Sequence, residues 1–136
     1  MLIPSLQNPI FADAAAAIER TAGCNGYNVL LASSAYSADK EISAVETFLN
    51  SRLEGLVLVV ANEEKSRALD SLTATGLPFI LMFNPDKPTS YSTVSIDNRH
   101  ATRELVEALL ELDHRRTAMI AGKLSESDLS IERQAG

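Results

Sequence analysis

The chain has 136 residues, 46% of them hydrophobic and 22% charged, with a formal net charge of −6. That length suits one domain with a sizeable core, and the composition argues against disorder or a fibrous repeat. An acidic chain without a basic patch is a poor partner for a phosphate backbone on its own, and a single cysteine, Cys24, excludes a disulfide framework or a multi-cysteine metal site.

Leu2 and Ile3 read as the end of a strand closed by Pro4, and residues 5–9 as a polar loop. Phe11, Ala15, Ile18 and Ala22 then recur at helical spacing until Gly23 to Gly26 ends the helix. Cys24, on that helical stretch, reads as a buried or half-buried inert thiol. Residues 27–32 read as a second strand, 33–37 as a loop and 38–51 as a second helix. Ile42, Val45, Phe48 and Leu49 share its inner face, with Asp39, Lys40, Glu41 and Glu46 largely opposite. Residues 55–60 form an unbroken apolar run, as in a parallel strand covered on both faces. A third helix is expected over about 63–75, closed by Gly76 in a left-handed cap. Pro78 opens a strand at 79–83, the proline-rich loop Asn84, Pro85, Asp86, Lys87, Pro88 follows, and residues 92–96 make a short strand. A fourth helix starts near Asp97 and Asn98 with Ala101, Leu105, Ala108, Leu109 and Leu112 as its apolar stripe. Residues 117–121 read as the last strand, ahead of a polar tail whose final residues look helical.

This alternation belongs to the α/β class: an open, mostly parallel sheet with helices on both faces and right-handed crossovers. Residues 1–121 are expected to form one subdomain and residues 122–136 a crossover into a second. Both ends look like cuts, the first inside a strand and the last inside a helix. No apolar run approaches the roughly 18 residues of a membrane span. The opening residues carry neither a basic nor an apolar leader region, so a cytoplasmic location without membrane contact is expected.

Ligands of open parallel sheets bind outside the carboxyl ends of the strands. That directs attention to residues 5–9, 33–36, 61–62, 84–86, 97–98 and 122–125, the last including Gly122, Lys123 and Ser125. Their amides and hydroxyls suit neutral polyhydroxylated ligands such as sugars, although the same residue types also form turns and cap helices. Asp97 combines both uses, capping the helix that follows while standing at the cleft edge. Enzyme chemistry finds no support. Gly23 to Gly26 follows a helix instead of opening one, so it is no phosphate loop. His100 and His114 lie on opposite ends of one helix, about 21 Å apart, and cannot share a metal or a proton. No nucleophile is brought beside a base and an orienting acid, so no catalytic residue, metal or cofactor is expected.

Several segments, in order, resemble the effector domain of LacI/GalR transcriptional regulators. Residues 2–12, LIPSLQNPIFA, resemble its opening strand and pocket loop, and 26–34, GYNVLLASS, its second strand. LEGLVL at 53–58 resembles the V-D-G-I-I-L segment. VSIDN at 94–98 is similar to V-x-x-D-N, and LDHRRTAMIAG at 112–122 to L-G-H-R-x-I-A-x-I-x-G. Residues 125–136 look like the S-x-x-x-R-x-x-G helix start. The resemblance implies the N-terminal subdomain of a periplasmic-binding-protein-like fold in a cytoplasmic, homodimeric regulator. A small effector, often a sugar, would sit between two subdomains and alter operator DNA binding by a helix-turn-helix that this chain lacks. The pocket loop then corresponds to Asn8, Pro9, Ile10 and Phe11, the later motifs to Asp97, Asn98 and Arg133. Ile10 replaces a commoner aromatic, Asp113 a helix-ending glycine, Lys123 a proline and Leu129 a small hydroxyl residue. The alternative is a ribose-type periplasmic sugar-binding protein, which shares the fold. One cleft wall alone is expected to bind effector weakly or not at all, and exposed apolar helix faces to favour self-association.

Overall fold

The computed structural model describes residues 1–85, 91–122, 124 and 127–136. Asp86, Lys87, Pro88, Lys123 and Ser125 of the expected loops lie outside the described residues. The α-helices begin on side chains that accept from the first free amides. Asn8 caps α1 (Pro9–Cys24), with Pro9 in the first turn, where its missing N–H costs nothing. Ser37 caps α2 (Ala38–Leu49) and Ser66 caps α3 (Arg67–Thr75). Asp97 caps α4 (Asn98–Glu111) and Ser127 caps α5 (Asp128–Ala135). Helix α3 starts later than its sequence pattern suggests, because residues 63–65 form a separate 3-10 turn capped by Asn62. It ends as expected on Gly76, at φ 70°.

Five parallel strands, β1 (Leu2–Ile3), β2 (Ala32–Ser33), β3 (Leu56–Leu58), β4 (Phe79–Met82) and β5 (Thr93–Val94), form one sheet in the order β2-β1-β3-β4-β5. This is the open parallel α/β sheet of the sequence reading. The helices divide between its faces. Val45 and Phe48 of α2 and Ala68, Leu69 and Leu72 of α3 pack with Leu2, Leu56, Leu58, Val60 and Leu81 on one face. Phe11 and Ala15 of α1 pack with Met1, Ile3, Val59 and Met82 on the other. Residues 56–60 alternate between the two cores, which is why the run is apolar throughout. Phe11 meets Phe83 edge-on, with ring centroids 5.6 Å apart.

Four expectations need correction. The second strand pairs only at Ala32 and Ser33, because β1 offers it partners only at Leu2 and Ile3. Residues 117–121 form no strand: a strand exists through its ladder, and the five-stranded sheet does not recruit them, leaving Met119 and Ile120 exposed. Glu41 is buried and not on the solvent face of α2, since its carboxylate accepts a backbone hydrogen bond across the sheet edge. Cys24 is exposed, because α1 buries Phe11 and Ala15 in its first two turns and leaves its last residue in solvent. Helix α4 buries none of its residues against the sheet and packs on α5 instead.

Candidate functional site

Helix α1 covers one face of the sheet and α2 and α3 the other, so the loops leaving β1 and β3, neighbours in the sheet, turn apart. That divergence is a topological switch point, and it opens a crevice at the carboxyl ends of the strands. The rim is conformationally unusual. Ala35 and Tyr36 after β2 and Phe83 after β4 all have positive φ, at 50°, 59° and 65°. Such geometry is uncommon for residues with a Cβ and clusters at functional edges.

Buried polar side chains hold this rim in place. Asn84, 2% exposed, accepts from the Val60 N–H at 3.2 Å and donates to the Val60 carbonyl at 2.9 Å. It thereby continues the β3–β4 pairing past the last ladder residue. Glu41 Oε1 accepts from the Ala61 N–H at 2.9 Å. Burial pushes the Glu41 carboxyl above its ordinary range, and the Ala61 hydrogen bond offsets part of that rise. Asp128, the first residue of α5 and 3% exposed, reaches into the same loop. Its two carboxylate oxygens accept from Asn62 Nδ2 and from the Glu63 N–H, both at 2.9 Å, while its own N–H donates to the Ala61 carbonyl at 3.3 Å. Glu63 is itself buried, and neither of its carboxylate oxygens has a hydrogen-bond partner. Helix α5 is thus anchored on the β3 loop by one carboxylate.

Beside that anchor lies a polar cleft of 380 Å³, lined by Pro85, Ser95, Ile96, Asp97, Asn98, Arg99 and Glu132. Asp97 accepts from the His100 N–H at 2.8 Å, fixing the start of α4. The Asn98 amide donates to the Ile96 carbonyl and its oxygen accepts from Arg133 Nε at 2.7 Å. Arg99 Nε meets Glu132 at 3.3 Å. Two cross-links therefore join the first turn of α4 to α5 at the cleft edge. Amide, hydroxyl, carboxylate and guanidinium groups together present both donors and acceptors, the inventory a polyhydroxylated ligand requires.

Three of the seven residues singled out from the sequence, Asp97, Asn98 and Arg133, come together here. The other four lie at the start of α1 and none lines this cleft. Asn8 accepts from the Ile10 N–H, Pro9 and Ile10 are exposed, and Phe11 is buried against Phe83. Sequence reasoning missed Arg99, Glu132, Glu41 and Asp128. Spacing could have paired Arg99 with Glu132 only once α5 was known to lie on α4. Among the described residues, no group of three or more His, Cys, Asp or Glu side chains could hold a metal.

All 136 residues match the profile of a family described as periplasmic binding proteins and sugar binding domain of LacI family. The HTH-type transcriptional regulator GntR of Escherichia coli K12 is 29% identical over 93% of this chain, which spans 38% of that protein. Catabolite control protein A of Streptococcus mutans is 31% identical over 100% of the chain and 40% of its own length. The crystal structure of the Cra transcriptional dual regulator from Pseudomonas putida, in complex with fructose 1-phosphate, superposes with a TM-score of 0.89 at 29% identity. That match covers 98% of this chain and 49% of the Cra chain. The chain thus spans about two-fifths of the length of the curated relatives it matches.

Proposed function

The chain belongs to the family of periplasmic binding proteins and LacI-type sugar-binding domains, and from that premise we propose that it is the effector-sensing and dimerisation part of a sugar-responsive, DNA-binding transcriptional repressor. In this reading the effector is a sugar or related metabolite, and the parent protein is a cytoplasmic homodimer. It meets operator DNA through a helix-turn-helix domain outside these residues. The chain itself performs no catalysis and needs no cofactor. The reading is carried by one observation: Asp97, Asn98 and Arg133 converge at a polar cleft beside the switch point of the sheet. The relatives' names support a regulator over the ribose-type solute-binding alternative. The described residues include no helix long and apolar enough to cross a membrane.

We assign the effector contacts to Asn8, Pro9, Ile10, Asp97, Asn98 and Arg133, with Phe11 setting the position of the α1 start from beneath. Where the crossover falls is part of the proposal. The sequence puts it at 122–136, and the packing of α4 on α5 favours the loop just ahead of Asp97. Titrating neutral sugars and sugar phosphates, including the fructose 1-phosphate bound by the Pseudomonas protein, tests this by calorimetry. The parent protein should bind at micromolar levels and respond in operator binding, and this chain alone should bind far more weakly. Equal micromolar affinity for the isolated chain would sink the two-wall reading. No response of operator binding to any sugar would sink the effector class.

A further inference from the structure

The central strand is shorter than the space its neighbours leave for it. The register sets Leu2 opposite Ala32 of β2 and opposite Leu58 of β3. Counting back along the parallel ladders, Met1 is level with Leu31 and Val57. The next positions outward are level with Leu30, Val29 and Asn28 on one side and with Leu56, Gly55 and Glu54 on the other. Between these segments runs an open trough of 680 Å³ whose lining includes Ile18, Val29, Leu30, Leu53, Gly55 and Val57. The Met1 nitrogen lies at its inner end and donates to the Leu30 carbonyl, so the direction of β1 points into the trough. Residues 28–31 have a strand-like sequence yet pair with nothing there, and Leu30 and Leu31 stand 50% and 42% exposed.

We propose that this trough is a strand-acceptor site whose occupant is an extended, uncharged, β-branched segment of about three or four residues joined to the Met1 nitrogen. Three observations select that occupant. Both ladders of β1 are continuous with the trough, so one inserted strand hydrogen-bonds on its two sides. The strand alternation continues too. Met1 and Ile3 face the α1 core and Leu2 the α2–α3 core. The residue joined to Met1 therefore faces Leu53 and Leu56, and the one before it faces Ile18 and Val57. A charge is disfavoured at either position. Finally, the matched relatives carry more than half of their length outside the region that aligns with this chain, so a segment of chain is available to fill it. The occupant lengthens the central strand, makes residues 28–31 a true strand, and is independent of any effector.

The test compares the 136-residue chain with two versions extended ahead of Met1, one by Val-Thr-Ile-Val and one by Gly-Ser-Gly-Ser. The β-branched extension should slow amide exchange at residues 29–31 and 55–57 by at least ~10-fold. It should also raise Tm by roughly 4 °C, and the Gly-Ser extension should do neither. Equal effects from both extensions, or none from either, would overturn the proposal. So would protection at residues 29–31 in the unextended chain that rises with protein concentration, because a second copy would then be the occupant.

Discussion

Helices α2 and α4 are built alike and end differently. Each carries an apolar stripe at helical spacing and starts on a side-chain cap. In α2 the stripe meets the sheet, and Val45 and Phe48 are 1% and 4% exposed. In α4 nothing is buried, and Leu105 remains 62% exposed. An amphipathic stripe specifies a helix and the face it would bury, but burial needs a second surface. The sheet supplies one for α1, α2 and α3. Helix α4 has only α5, and their recorded polar links are a hydrogen bond and an exposed ion pair.

The sharpest way to break this contrast is to truncate one residue from each region. Phe11→Ala should cost about 3–5 kcal/mol in urea denaturation, by cavity formation and loss of the Phe83 contact. Leu105→Ala should cost less than ~0.5 kcal/mol. Similar losses would mean that α4 is covered in solution. Asp128→Ala comes next, at about 1–3 kcal/mol, because the buried Glu63 N–H loses its acceptor. The damage should be regional: faster amide exchange across Asp128–Ala135 with the sheet amides unchanged. Sheet amides that loosen equally would show the two regions to be one cooperative unit.

Glu41 sharpens the comparison through pH. Its folded carboxyl titrates above the unfolded one, so the native state keeps a proton that the unfolded state releases. The associated stability is full below the unfolded pKa and is lost as pH rises through the folded value. Glu41→Gln should remove that loss, so denaturation midpoints of wild type and variant should diverge as pH rises from the ordinary carboxylate range. Parallel profiles would exclude Glu41 as the titrating group. The smallest effect belongs to Arg99→Ala, below ~0.5 kcal/mol, since its ion pair with Glu132 is solvent-exposed. A larger loss, or one insensitive to salt, would show the α4–α5 link to be stronger than its exposure implies.

Much of this was legible in the chain. Alternating apolar runs and stripes announce a parallel sheet, and Asn8, Ser37, Ser66 and Asp97 mark helix starts because an unpaired amide needs an acceptor whatever the fold. Gly76 likewise marks a left-handed ending. The cleft was half legible. Asp97, Asn98 and Arg133 were found by ordered motifs, while Glu41 and Asp128 looked like ordinary helix-surface acids. Their acceptor roles depend on the backbone of residues 61–63, which is remote in sequence from both.

The same line separates what the amino-acid order decides from what only the assembled fold decides. Local interactions set helix starts, helix ends and the period of each element, because their partners lie within a few residues. Non-local contacts set the rest. Residues 117–121 have a strand's composition but no ladder, residues 28–31 have a strand's composition but no central partner, and the stripe of α4 has no sheet beneath it. Hydrophobic periodicity states what a segment would bury, and tertiary structure alone supplies the surface it buries against.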